Sequence, residues 1–161
     1  MSESRPRPPF TIRHAKSNDS QAILECLAVA FAPYRTSYTP RAFADTVLDS
    51  ESVQERLRDM HVLVAVSERV IVGTLAWAAS GGEGHLRGMA VLQDWQGEGV
   101  AAALLRAAEA EARGEHCTRL TLTTTEPLDQ AKRFYARHGF TRSGRVFDFF
   151  GMPVQEWIKS L

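Results

Sequence analysis

The chain has 161 residues, 44% of them hydrophobic and 24% charged, which fits one ordinary globular domain, since a single core serves roughly 100 to 200 residues. No apolar run approaches the ~20 residues that cross a bilayer, so no membrane segment is expected. Nineteen Lys and Arg balance nineteen Asp and Glu, which excludes an overall positive field for nucleic acid.

In chain order, residues 1–9 carry three prolines and two arginines without an apolar period and read as a solvated, flexible tail. Residues 10–161 are read as the domain. Thr11 to Arg13 form a short strand, after which Asn18 or Asp19 caps a helix with Ile23, Leu24, Leu27, Ala28 and Phe31 on one face. Thr39 and Pro40 open a second helix through Phe43, Val47 and Leu48, and Glu51 to Met60 gives a third. Val62 to Val66 and Val70 to Ala78 make a hairpin, and Leu86 to Leu92 a further strand. Val100 to Arg113 is an alanine-rich helix, Leu120 to Thr124 a strand, and Asp129 to His138 a helix closed by Gly139. Val146 to Phe150 and Val154 to Ile158 suggest a terminal hairpin. The fold class is therefore α/β: a mixed, mostly antiparallel sheet with flanking helices and one right-handed parallel crossover through the long helix.

The stretch from Met89 to Leu105 is the most informative. A strand runs through Trp95, Gln96, Gly97, Glu98 and Gly99 straight into a helix. Glycines permit positive φ and close approach, so the free amides at the helix start can converge on an anion such as a pyrophosphate. A tight turn alone would also explain a glycine pair. Gln96, Gly97, Glu98, Gly99, Val100 and Ala101, however, resemble the Q/R-x-x-G-x-G/A signature of the GNAT superfamily of N-acetyltransferases. Leu86 to Val91 sit where that family places its acetyl-CoA-facing strand, and Ala131, Phe134, Tyr135, Gly139 and Phe140 are similar to its A-x-x-F-Y…G-F segment. Leu128 stands where the family often has Asn, seven residues before the tyrosine.

The resemblance implies a GNAT-like acyltransferase fold with acetyl-CoA as co-substrate. It places the pyrophosphate on Gln96 to Ala102, Phe134 on a second cofactor-contacting helix, and the pantetheine arm along Met89, Ala90 and Val91, with backbone amides near Ala90 or Val91 polarising the thioester carbonyl. It also implies that the Tyr135 phenol protonates the departing thiolate. An amine attacks only when neutral, and an unperturbed lysine-type ammonium has a pKa of about 10.4, so a base is needed. Glu83 and His85 are the candidates, His85 lying roughly where some family members carry a catalytic Glu. Either residue could instead be a solvated strand or turn position. The acceptor is expected to be an amine-bearing small molecule or peptide, lined by the early helices and terminal hairpin, with Arg35 able to pair with an acceptor carboxylate or phosphate.

Cys26 and Cys117 have no recognisable activating base, and no C-x-x-C or H-E-x-x-H spacing occurs, so neither a covalent cysteine route nor a metal is expected. Few cysteines and no apolar signal core in residues 1–10 point to the cytoplasm. Gly97, Gly99 and Ala102 also satisfy G-x-G-x-x-A, with Glu126 after a strand, as in a dinucleotide-binding oxidoreductase, but too few βα units follow. A non-catalytic acyl-CoA-binding sensor is the remaining alternative. Phe147, Phe149 and Phe150 suit either a homodimer face or the monomer core.

Overall fold

The computed structural model describes residues 6–161. Residues 1–5 of the expected tail lie outside them, and of the remainder Arg7 has its guanidinium carbon 5.4 Å from the centre of the Trp95 ring.

Seven strands form one sheet in the order β1-β2-β3-β4-β5-β7-β6. They are β1 (Thr11–His14), β2 (His61–Ser67), β3 (Val70–Ser80), β4 (Glu83–Val91), β5 (Arg119–Thr125), β6 (Thr141–Phe149) and β7 (Met152–Ser160). The five α-helices are α1 (Ser20–Phe31), α2 (Pro40–Thr46), α3 (Ser50–Asp59), α4 (Val100–Gly114) and α5 (Asp129–Arg137). Neighbouring strands are antiparallel except β4 and β5, joined through α4. That single parallel pair is the expected crossover, and it leaves no doubly wound sheet for a dinucleotide.

Helices cover both faces. On one, α4 lays Leu104, Leu105, Ala108 and Ala112 against Leu63, Leu75, Trp77, Leu86 and Leu120. Ala108 and Ala112 are fully buried, and their small side chains let the helix lie close to the strands. On the other face α1 and α3 bury Ile23, Leu27 and Val53 against Val62, Val64, Ile71 and Ala90. Each large aliphatic side chain so buried contributes about 1.5–3 kcal/mol. Thr39 caps α2 through Ala42 N–H, and Asp49 with Ser52 makes a capping box on α3, which explains where both helices start.

Three expectations move. Strand β4 begins at Glu83 rather than Leu86, and β6 at Thr141 rather than Val146. The strand expected to run on through Trp95 ends at Val91, and short 3-10 helices occupy Gln93–Trp95 and, after α1, Ala32–Ser37. Phe149 packs against the small Tyr38, Ala42 and Met152 cluster, whereas Val146, Phe147 and Phe150 stay exposed.

Candidate active site

The site begins with an irregularity in β4. Opposite β3, Thr74 pairs with Ala90 and Ala76 with Arg87, so Gly88 and Met89 together face Leu75. Gly88 has φ +68°, the left-handed conformation that a glycine-led β-bulge needs and that other residues adopt at a cost. A bulge bends its strand. Accordingly β4 holds β5 only through Glu83, Gly84 and His85, paired with Arg119, Leu120 and Thr121. From Leu86 to Val91 the edge of β4 facing β5 has no sheet partner.

Strand alternation fixes which backbone groups face this gap. Leu92 N–H donates to Val72 O at 2.9 Å, so Leu92 and Ala90 turn their backbone toward β3, and Val91 turns its own toward the gap. The Val91 carbonyl there accepts from Gln96 Nε2 at 3.4 Å. Of the two expected oxyanion donors, Ala90 is thus committed to the sheet and Val91 is available.

The gap widens into a cleft of about 720 Å³ lined by Met89, Ala90, Val91, Gln96, Gly97, Gly99, Val100, Ala101, Ala102, Phe134 and Tyr135. Gly97 and Gly99 have φ +80° and +84°, and a Cβ on either would meet no atom within 4 Å. Both therefore look onto open space. Gly99 is the α4 N-cap and offers no side chain to the first-turn amides; only Ala103 N–H is returned to Gly99 O, at 3.0 Å. The amides of Val100 to Ala102 remain for an external acceptor, with the positive end of the helix dipole behind them. The Val100 side chain itself is core, so its part is played by backbone. Glu98, expected with this group, does not line the cleft.

Helix α5 sets the far wall. Phe140 N–H donates to Tyr135 O at 3.0 Å where the helix ends at Gly139, φ +92°. The Tyr135 ring sits 5.3 Å from Phe134 and 5.5 Å from Phe140, edge to face. Tyr135 is 7% exposed and lines the cleft. Among the described residues its hydroxyl has no hydrogen-bond partner, and burial pushes the phenol well above its ordinary pKa. The phenol is thereby held in its neutral O–H form inside the cleft. Leu128 lines the same wall with an apolar side chain.

His85 enters from β4. Its Nδ1 lies 2.9 Å from Thr121 Oγ1; with Nδ1–H donating there, Nε2 keeps its lone pair. The side chain is exposed by area, yet enough protein surrounds it that burial, then the charge of Arg87, lower its pKa, against weaker opposing effects of Glu156 and Glu83. The imidazole is therefore neutral near pH 7. Glu83, the other expected base, does not line the cleft: it is paired with Arg119 at the start of the strands.

On the α1 side the chamber is walled by Phe31, Tyr34, Tyr38, Phe149 and Val154, and Tyr38 Oη lies 2.7 Å from Thr125 Oγ1. Arg35 is not part of this wall. It is exposed, with its guanidinium carbon 5.1 Å from the Phe43 ring centre. The wall instead holds Arg56 and Arg87, neither of which was singled out from sequence. Trp157 belongs to the core, donating Nε1–H to Thr124 at 2.8 Å.

Cys26 and Cys117 are buried and free, and burial raises the Cys26 thiol to about 12, which keeps it protonated and unreactive. Away from the cleft, His14, His61 and Glu111 bring ligand-type atoms within 4.8 Å of one another. Their polar atoms are engaged locally: Glu111 accepts from Trp77 Nε1 at 2.9 Å and lies 2.6 Å from His14 Nε2, and His61 faces Glu115 at 3.4 Å. No helix among the described residues is long and apolar enough to cross a membrane.

Comparison with known proteins bears on the fold and the family. An acetyltransferase of Agrobacterium fabrum is 31% identical over 102 residues, 63% of this chain and 73% of its own. The PaiA N-acetyltransferase of Thermoplasma acidophilum, solved with coenzyme A, superposes with a TM-score of 0.78 at 15% identity, covering 95% of this chain and 99% of that one. A GCN5-related N-acetyltransferase of Rhodopseudomonas palustris gives 0.78 at 21% identity over 100% of both chains. The family model described as an acetyltransferase (GNAT) domain matches residues 17–161; with the split between β4 and β5 and the glycine bend opening α4, this chain belongs to the GNAT acetyltransferase family.

Proposed function

We propose that the chain moves an acetyl group from acetyl-CoA to a primary amine by direct attack on the thioester. The observation that supports this reading is the continuity of the cleft. It runs from the Gly97–Ala102 bend, past the open edge of β4 and Tyr135, to a chamber beside His85.

The α4 amides bind the diphosphate, and the free edge of Met89 to Val91 takes the pantetheine arm as an added strand. The Val91 N–H is the donor aimed at the carbonyl oxygen. His85 Nε2 accepts one proton from the incoming ammonium, directly or through a water, leaving a nitrogen lone pair to attack the carbonyl carbon. As the C–N bond forms and the C–S bond breaks, the sulfur takes the Tyr135 proton. The nitrogen sheds its second proton, which restores the phenol by way of solvent. The balance is one amide and one thiol formed, with one proton released. Glu83 is given no step.

An acetyl-CoA-dependent thiol-release assay over amino acids, polyamines, aminoglycosides and peptide N-termini tests the reading. Release above hydrolysis with at least one amine is expected. Acetyl-CoA binding with no release from any amine would instead favour a sensing module.

A further inference from the structure

Helix α3 is a polar helix on which Glu51, Gln54, Glu55, Arg58 and Asp59 are exposed. Arg56 is the exception. It is 9% exposed, although it carries a full charge. A charge taken out of water is normally compensated by a carboxylate or a set of hydrogen bonds. Among the described residues, no hydrogen bond or ion pair reaches the Arg56 guanidinium. Its neighbour Arg87 spends its own charge on Asp45, so Arg56, Arg87 and Asp45 together carry a net charge of +1.

The guanidinium is also placed with purpose. Arg56 Nη1 stands 2.5 Å from where a Cβ on Gly88 would be, so it rests directly on the bulge that opens β4. That position is three residues from His85 and three from Val91 along the strand. The guanidinium nitrogens are not sealed in: the described residues hold a sealed, unpartnered side-chain atom at Ser67 Oγ, whereas Arg56 lines the cleft. Burial and the nearby Arg87 bring its pKa down to about 10, which leaves it cationic at neutral pH.

Resting on the acetyl-transfer reading above, we infer that Arg56 anchors a carboxylate of the acceptor, so that the acceptors are amino acids: a primary amine and one carboxylate in the same small molecule. A planar guanidinium fork matches a carboxylate with two parallel hydrogen bonds. A single uncompensated positive charge matches one negative charge. A phosphate dianion would leave one negative charge unmatched there. Asp148, which also lines the cleft, suits the ammonium end of the same molecule.

The test compares three forms of each acceptor: the free amino acid, its carboxamide, and the aminoalkylphosphonate of equal length. Wild-type kcat/KM for the best free acid should exceed that for its carboxamide by about 100-fold or more, because a site built for a charged group rejects the analogue lacking it. Arg56→Met should collapse that ratio to near one, and Arg56→Lys, which keeps the charge and loses the fork, should give an intermediate ratio. Equilibrium titration of the coenzyme A-loaded protein with the same compounds reads the anchor without turnover. Acid-selective binding lost in Arg56→Met supports it even if no amine is acetylated, an outcome that would count against the transfer reading alone. Equal use or binding of acid and carboxamide by the wild type, preference for the phosphonate, or an unchanged ratio in both variants would overturn it.

Discussion

Replacing Tyr135 by Phe removes one oxygen and leaves the ring contacts with Phe134 and Phe140 at 5.3 and 5.5 Å. Because the hydroxyl has no partner within the described protein, its loss should change stability by less than about 1 kcal/mol. The effect on turnover is expected to be of another size. A positioned proton donor is worth roughly 10²–10⁴-fold, and a residue only 7% exposed leaves little room for water to take its place. A fall in kcat of about 100-fold, or ~2.7 kcal/mol of barrier, is the expected minimum. Burial holds the phenol above its ordinary value, so the donor stays protonated and the variant's deficit should be the same from roughly pH 6 to 9. Thiol release with a saturating amine measures kcat, and thermal melting checks the fold. A kcat within twofold of wild type, in a protein that melts normally, would refute the assignment.

In the proposed mechanism neutral His85 is the competent form, and its pKa is lowered. Activity in kcat/KM should therefore rise with pH through a midpoint below the ordinary histidine value of about 6.5. His85→Ala should lower kcat about 100-fold and erase that acidic limb, which a pH–rate profile would show. At the glycine bend, Gly99→Val forces a β-branched residue to φ +84° where space is open. The cost to stability is about 1–2 kcal/mol of backbone strain, and the new side chain projects into the open space at the bend that the diphosphate is proposed to fill, so the KM for acetyl-CoA should rise at least tenfold by steady-state kinetics.

The parts of the site that were legible in sequence are local ones. Gly97 and Gly99 announce a bend because positive φ is a property of the residue itself, and Tyr135 lies on a short helix bounded by Asp129 and Gly139. What stayed hidden depends on pairing. The start of β4 was missed because Gly84 and the charged Glu83 break the apolar run, yet both positions pair with β5. The β4–β5 split follows from a two-against-one register at Gly88 and Met89, which a single strand cannot reveal. The early part of β6, Arg142 to Arg145, reads as a loop because an exposed edge strand needs no apolar alternation. Arg56 was overlooked among the charges of α3, since only tertiary packing distinguishes its burial from the exposure of Arg58. Arg35, expected at the acceptor site, instead rests against the Phe43 ring on the exposed surface.

The most direct measurement is a crystal structure of the protein with acetyl-CoA. The mechanism requires the diphosphate to lie within hydrogen-bonding distance of amides from Gly97 to Ala102, the pantetheine along Met89 to Val91, and the sulfur within reach of the Tyr135 hydroxyl. A coenzyme bound elsewhere, or one whose sulfur points away from Tyr135 and the gap beside β4, would contradict it.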